Sequence, residues 1–284
     1  MRKSSAGAVL ILGAFLAGCG GGDSNSSSGA ALPVNGSGSG VLRAEGLYRG
    51  TFSNGLAHET VVLETGQIYM VYGTPFADTL DETGLIEGPA NASNGSFSAT
   101  DTRNYRNTVV IRDFPAFQEV ESNQVFPAPI SATYDKNGGF NGIISTGGTT
   151  VLGRPLTQPF NVTFAGARPD KLAYDYDKPA DVSRVAGSWG QIRVLEVTAE
   201  GRISLSSREC AAVGTIKPRP SGKNLFDIEW SFLFQPQCPY YGQTLKAIGI
   251  ARSAGSGAAP ADNNFIIVNV DNTRTTKRTY IFSR

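Results

Sequence analysis

The stretch Phe226-Asp227-Ile228-Glu229-Trp230-Ser231-Phe232-Leu233-Phe234 decides the fold class. Phe226, Ile228, Trp230, Phe232 and Phe234 recur at every second position, with Asp227, Glu229 and Ser231 between them. A β-strand sends successive side chains to opposite faces, so this spacing puts the apolar residues on one side and the polar ones on the other. The reading is a half-buried strand of an antiparallel sheet, with one face on a core and one in water.

Working outward, Phe160-Asn161-Val162-Thr163-Phe164 repeats the pattern. Val61-Val62-Leu63, Glu64-Thr65-Gly66-Gln67 and Ile68 to Tyr72 read as a hairpin, with Gly66 supplying the positive φ of a tight turn. Seven strands are expected toward the C-terminus: 189–197, 202–209, 212–217, 225–235, 244–252, 264–270 and 276–283. Gly 34 and Pro 15 in 284 residues are an excess of punctuation that suits short strands and turns better than long helices. Pro115 to Ser122 reads as a short helix or a loop. Pro179 to Ala186 reads as two helical turns, with Asp177 near the N-cap and Gly187 at C′.

The chain passes through this pattern twice. Gly46-Leu47-Tyr48 opens one pass and Gly187-Ser188-Trp189 the other; each is followed by a strand, a tight turn (Glu64-Thr65-Gly66, Glu200-Gly201) and a second strand. The polar, turn-rich segment around residues 168–178 separates them. The expected fold is all-β: two small antiparallel up-and-down barrel or sandwich units in tandem, with few short helices. The N-terminal β unit is 41–167, the linker 168–178 and the C-terminal β unit 179–284. Units of roughly this size can each bury one core.

At the N-terminus, Arg2 and Lys3 precede an apolar run from Ala8 to Leu16, the pattern of a signal peptide. The run is too short to span a bilayer. It leads into Leu16-Ala17-Gly18-Cys19, which resembles the lipobox of bacterial lipoproteins. That resemblance implies a lipoprotein signal peptide over 1–18, cleavage before Cys19, and diacylglycerol on the Cys19 thiol with acylation of its new amino group. Gly20 in place of Asp implies export to the outer membrane. The membrane is then a partner through the lipid on Cys19, with the body surface-exposed or facing the periplasm. Residues 19–40 are Gly/Ser-rich and read as a lipidated, disordered tether, reaching roughly 25 Å on average.

Two further cysteines remain. In an up-and-down meander, turns alternate between the two ends of the sheet. Cys210 falls after the second expected strand and Cys238 after the fourth, which places both at one end. With Cys19 lipidated and the compartment oxidising, a Cys210–Cys238 disulfide is expected.

The opening Gly187-Ser188-Trp189, preceded by a short helix and followed by strand, Glu-Gly turn and strand, resembles the opening of calycins, the lipocalin and avidin barrels. There the Trp plugs one barrel end, which implies a calycin-like C-terminal unit. The Asn and Ser that hold biotin in avidins have no counterparts after Trp189, so biotin is not implied. The whole layout is also similar to two-unit β surface lipoproteins such as factor H-binding protein.

Catalytic and metal signals are sparse. Lys+Arg 25 against Asp+Glu 24, a net charge of +1, excludes a strongly basic nucleic-acid binder. A Ser-His-Asp triad or a multi-histidine zinc site would rest entirely on His58, the sole histidine, which reads as a solvated residue beside a turn. No phosphate-binding loop, dinucleotide fingerprint or nucleophile elbow is present. Asp78, Asp81, Glu82 and Glu87 read as an acidic loop, and Asp175, Asp177 and Asp181 as an acidic connector lacking the Gly and Glu of an EF-hand. Arg274, Lys277, Arg278 and Arg284 read as a soluble basic hairpin. No metal, cofactor or catalytic residue is therefore expected.

What remains is a non-catalytic binding or interaction module for an unknown protein or small-molecule ligand. The alternatives are a carrier of a small apolar ligand inside the barrel and an envelope hydrolase. Aromatics such as Trp189, Trp230, Phe232 and Phe234 pointing inward would leave little room for a ligand. The candidate partner-binding residues are Tyr240 and Tyr241, in a loop stiffened by Pro236, Pro239 and the disulfide. Neighbours on extended backbone point oppositely, so at most one of the two tyrosines is expected to be exposed.

Overall fold

The computed structural model describes residues 42–76, 79–111, 119–146, 160–168, 176–191, 193–238, 240–252, 264–270, 274 and 277–283. The expected signal peptide, Cys19 and the expected tether lie outside the described residues, as do Asp78, Asp175 and Arg284. The described chain is nearly all β and falls into two antiparallel sheets, one a half-barrel and the other a nearly closed barrel.

The first sheet contains β1 (Gly46–Phe52), β2 (Ala57–Val62), β3 (Gln67–Phe76), β4 (Thr79–Pro89), β5 (Asn91–Ser93), β6 (Ser96–Ala99), β7 (Arg103–Ile111), β8 (Glu119–Pro127), β9 (Ile130–Tyr134), β10 (Gly139–Thr146) and β11 (Phe160–Ala167). Its order is β5-β6-β9-β10-β11-β1-β2-β3-β4-β7-β8. β4 and β5, β6 and β7, and β8 and β9 follow one another closely in the chain, yet the members of each pair stand toward opposite ends of the sheet order. The Thr102 hydroxyl, between β6 and β7, donates to the Ala128 carbonyl, between β8 and β9, at 2.5 Å. The β2–β3 hairpin turns as expected, with Gly66 at φ 78° and its N–H donating to the Leu63 carbonyl. Tyr48, Phe97, Phe140 and Phe164 fill the concave face, with Phe140 4.8 Å from Tyr48 and 5.0 Å from Phe97 between ring centres.

Two expectations change in this sheet. Asp81, Glu82 and Glu87 belong to β4 and not to a loop, because β4 pairs with β3 along its length. The described part of 115–122 is strand, the start of β8, which pairs with β7.

One helical turn, α1 (Val182–Val185), leads into the second sheet. Its cap is Asp181, whose carboxylate accepts from the Ser183 N–H at 2.9 Å. Asp177, the expected cap, instead pairs with Lys223 at 2.9 Å. Then follow β12 (Gly187–Trp189), β13 (Val194–Val197), β14 (Arg202–Ser206), β15 (Ala211–Pro218), β16 (Phe226–Phe232), β17 (Thr244–Arg252), β18 (Asn264–Val270) and β19 (Lys277–Ser283), paired in simple chain order. The expected strand 189–197 is two strands. Gly190 sits at φ 80°, a conformation that turns the chain, so Trp189 pairs back with Leu195.

Phe226, Ile228, Trp230 and Phe232 point into the barrel as the alternation requires. Phe234 does not. The β16–β17 ladder ends at the Ser231–Thr244 pair, and Phe234 beyond it is 75% exposed. Trp189 is buried, donates its indole N–H to the Val185 carbonyl at 2.7 Å, and packs 5.6 Å from Phe265.

The two sheets also share a core. Leu47, Val61, Leu63, Val71 and Leu85 on the convex face of the first sheet pack with Ile248, Ile250, Ile266 and Val268 on the outside of the barrel. Tyr176, within the expected linker, is buried among them and donates its hydroxyl to the Val62 carbonyl at 3.3 Å.

Candidate functional site

The disulfide end of the barrel is built from two turns. After β14, Ser207 caps the turn: its hydroxyl donates to the Cys210 carbonyl and accepts from the Cys210 N–H. After β16, the Cys238 N–H donates to the Gln235 carbonyl, and the Tyr241 N–H to the Cys238 carbonyl. Cys210 and Cys238 are bonded, with Cα atoms 4.8 Å apart and both residues buried. The meander geometry anticipated this pairing.

The two candidate tyrosines separate. Tyr240 is buried, its ring 5.4 Å from Phe232, and closes this end of the barrel. Tyr241 is 53% exposed and meets Phe234 edge-on at 5.3 Å. Leu233 is exposed beside them. Sequence reasoning placed Phe234 inside, so it missed half of this aromatic pair. The available signal was Pro236, which stops strand pairing shortly after Phe234.

His58 corrects an expectation. It is not solvated but 1% exposed on the inner face of β2, stacked 5.2 Å from Phe52 and edge-on to Phe164. Its Nε2 lies 3.3 Å from the Ala165 carbonyl and its Nδ1 2.9 Å from the Thr60 hydroxyl. A carbonyl can only accept, so Nε2 carries the proton and Nδ1 accepts from Thr60. Burial lowers the His58 pKa to about 4, keeping the ring neutral.

Arg274 also departs from its expected role as part of a solvated basic hairpin. Its guanidinium reaches the other sheet and binds Glu87 at 2.7 Å and Asp101 at 2.8 Å. The Glu87 carboxylate accepts from Gln67 and Tyr105 as well, each at 3.0 Å. The cation on Glu87 is therefore an arginine. Among the described residues, no three His, Cys, Asp or Glu side chains converge as metal ligands.

A second concave feature lies where the sheets diverge. A cleft of about 500 Å³ opens between Tyr69 of β3 and the outer faces of β15, β16 and β17. Arg219 closes one end, bound to Glu64 at 2.8 Å and Asp227 at 2.6 Å. Sequence reasoning gave no sign of this cleft, because its walls come from separate units.

No protein-family model matches the chain, and no curated protein is similar to it.

Proposed function

We propose that this is an outer-membrane lipoprotein, anchored through Cys19 and held off the bilayer by the 19–40 tether. Its folded body is a non-catalytic interaction module, surface-exposed or facing the periplasm. The observation that carries the contact surface is the exposed Phe234–Tyr241 pair beside the Cys210–Cys238 bond. A disulfide-stiffened turn holds the two rings in place, so little side-chain freedom remains to be lost when a partner docks.

Two features weigh against the alternatives. In the barrel interior, Trp230 lies 5.3 Å from Tyr280 and 5.4 Å from Phe232, and Phe226 6.0 Å from Phe265, so aromatic rings occupy the space a carried ligand would need. The closest approach to a nucleophile–base pair involving histidine is Thr60 with His58, and both are buried out of reach of a substrate.

Palmitate labelling of the native protein and of Cys19→Ala tests the anchor; unchanged labelling in the variant refutes it. Capture of an envelope partner by the native protein, compared with Phe234→Ala and Tyr241→Ala, tests the surface. Each substitution is expected to weaken capture by roughly 1–3 kcal/mol. Unaltered affinity in both removes this end of the barrel from the reading.

A further inference from the structure

The cleft between the sheets has a floor of two cross-strand rows. Thr215, Glu229 and Lys246 form one, and Lys217, Asp227 and Ile248 the other. Hydroxyl, carboxylate, ammonium and aliphatic groups thus sit side by side, with the acids of β16 flanked by a lysine on β15 and another on β17. Arg219 is held by Glu64 and Asp227. Lys217, Glu229 and Lys246 make no ion pair among the described residues and remain available to a ligand. Tyr69 forms the opposite wall. Burial, then the nearby Glu87 carboxylate, push its hydroxyl up to about 12, so it stays protonated.

This lining selects by exclusion. A phosphate or another anion would approach Lys217 and Lys246 but meet the unpaired Glu229 carboxylate on the strand between them. A cation would meet the lysines. An apolar ligand would strip water from several charges and return no hydrogen bonds. A free amino acid could satisfy one charge of each sign, but it would leave most of a cavity of about 500 Å³ empty. That volume lies within the roughly 300–1,000 Å³ of small-ligand sites. A ligand that is neutral, rich in both donors and acceptors, and apolar on one ring face meets every condition.

We infer that the cleft is a binding site for a neutral oligosaccharide of about two rings, with Tyr69 against a sugar face and Glu229, Lys217 and Lys246 on its hydroxyls. The inference rests on the cleft alone and is independent of the lipid anchor and of the Phe234–Tyr241 end.

The test is saturation-transfer NMR on the full-length protein in a polyoxyethylene detergent, which carries no sugar. Chitobiose, cellobiose and maltose are the probes, with glycine and inorganic phosphate as competing chemistries. At least one disaccharide is expected to bind. Glu229→Ala and Lys246→Ala, both at exposed strand positions, should each weaken it about tenfold, the effect of losing one hydrogen bond to a charged group. Thermal melting of each variant shows whether the fold is intact. The inference is overturned if no disaccharide binds, if only phosphate or glycine binds, or if both folded variants bind as the native protein does.

Discussion

Arg274 and Glu87 stand 187 positions apart in the chain, and the guanidinium of the first lies 2.7 Å from the carboxylate of the second. The pair joins the loop between β18 and β19 of the barrel to β4 of the half-barrel. Glu87 is 3% exposed, so its charge has little water to fall back on. The Arg274 carbonyl adds to the join, accepting from Arg103 at 2.7 Å, and lies 3.1 Å from the Tyr105 hydroxyl, whose single proton is shared between this oxygen and Glu87.

Arg274→Met should therefore cost more than an exposed charge would. It strands a buried carboxylate, and we expect a loss of roughly 2–4 kcal/mol, short of the full penalty for a wholly buried pair because Arg274 is itself a quarter exposed. Urea denaturation measures it. Adding Glu87→Gln should recover part of the loss, and a double variant no better than the single would contradict the role of the stranded charge.

His58 makes folding depend on pH. Its folded pKa of about 4 lies below the ordinary 6.5, so between those values the unfolded chain takes up a proton that the folded chain refuses. The contribution is complete above pH 6.5 and is lost as pH falls toward 4, by as much as about 3 kcal/mol. Urea midpoints taken across this window should fall more steeply for the native protein than for His58→Gln. Parallel slopes would show that another group is responsible.

The Cys210–Cys238 bond closes a loop with a sequence separation of 28. In the chain-entropy description such a loop is worth about 3.5 kcal/mol. Reduction, or the paired change Cys210→Ser with Cys238→Ser, should lower stability by that order. Non-reducing mass spectrometry should show two hydrogens fewer than in the reduced protein.

Tyr240 and Tyr241 offer a contrast between neighbours. Tyr240→Ala empties a packed site against Phe232 and should destabilise by about 3 kcal/mol, as large aromatic truncations in cores do. Tyr241→Ala removes a half-exposed ring and should stay within about 0.5 kcal/mol of the native protein. Thermal melts of the two variants separate these outcomes directly.

Much of the barrel was legible because its signals are local. Alternation at Phe226–Phe232 and the parity of turns at Cys210 and Cys238 need only neighbouring residues. The splitting of 189–197 hid in one glycine, Gly190, whose turn the surrounding apolar residues masked. The shared core was written more faintly. Val61-Val62-Leu63 and Phe265-Ile266-Ile267-Val268 are apolar in both phases, the mark of strands covered on two faces. Nothing local could pair Glu87 with Arg274 or bring Tyr69 over β16, since each partner lies on a separate sheet. His58 was misplaced for a similar reason: a turn begins beside it, but Phe52 and Phe164 come from β1 and β11 to enclose it.

Ile248, Ile250, Ile266 and Val268 give the barrel a greasy flank that, among the described residues, its companion sheet and Tyr176 cover. A gene encoding the barrel alone would yield a product whose side wall seeks another surface, its own copies first. Any new host for the barrel would have to bring a matching apolar face, which sets it apart from units that move as beads on a string.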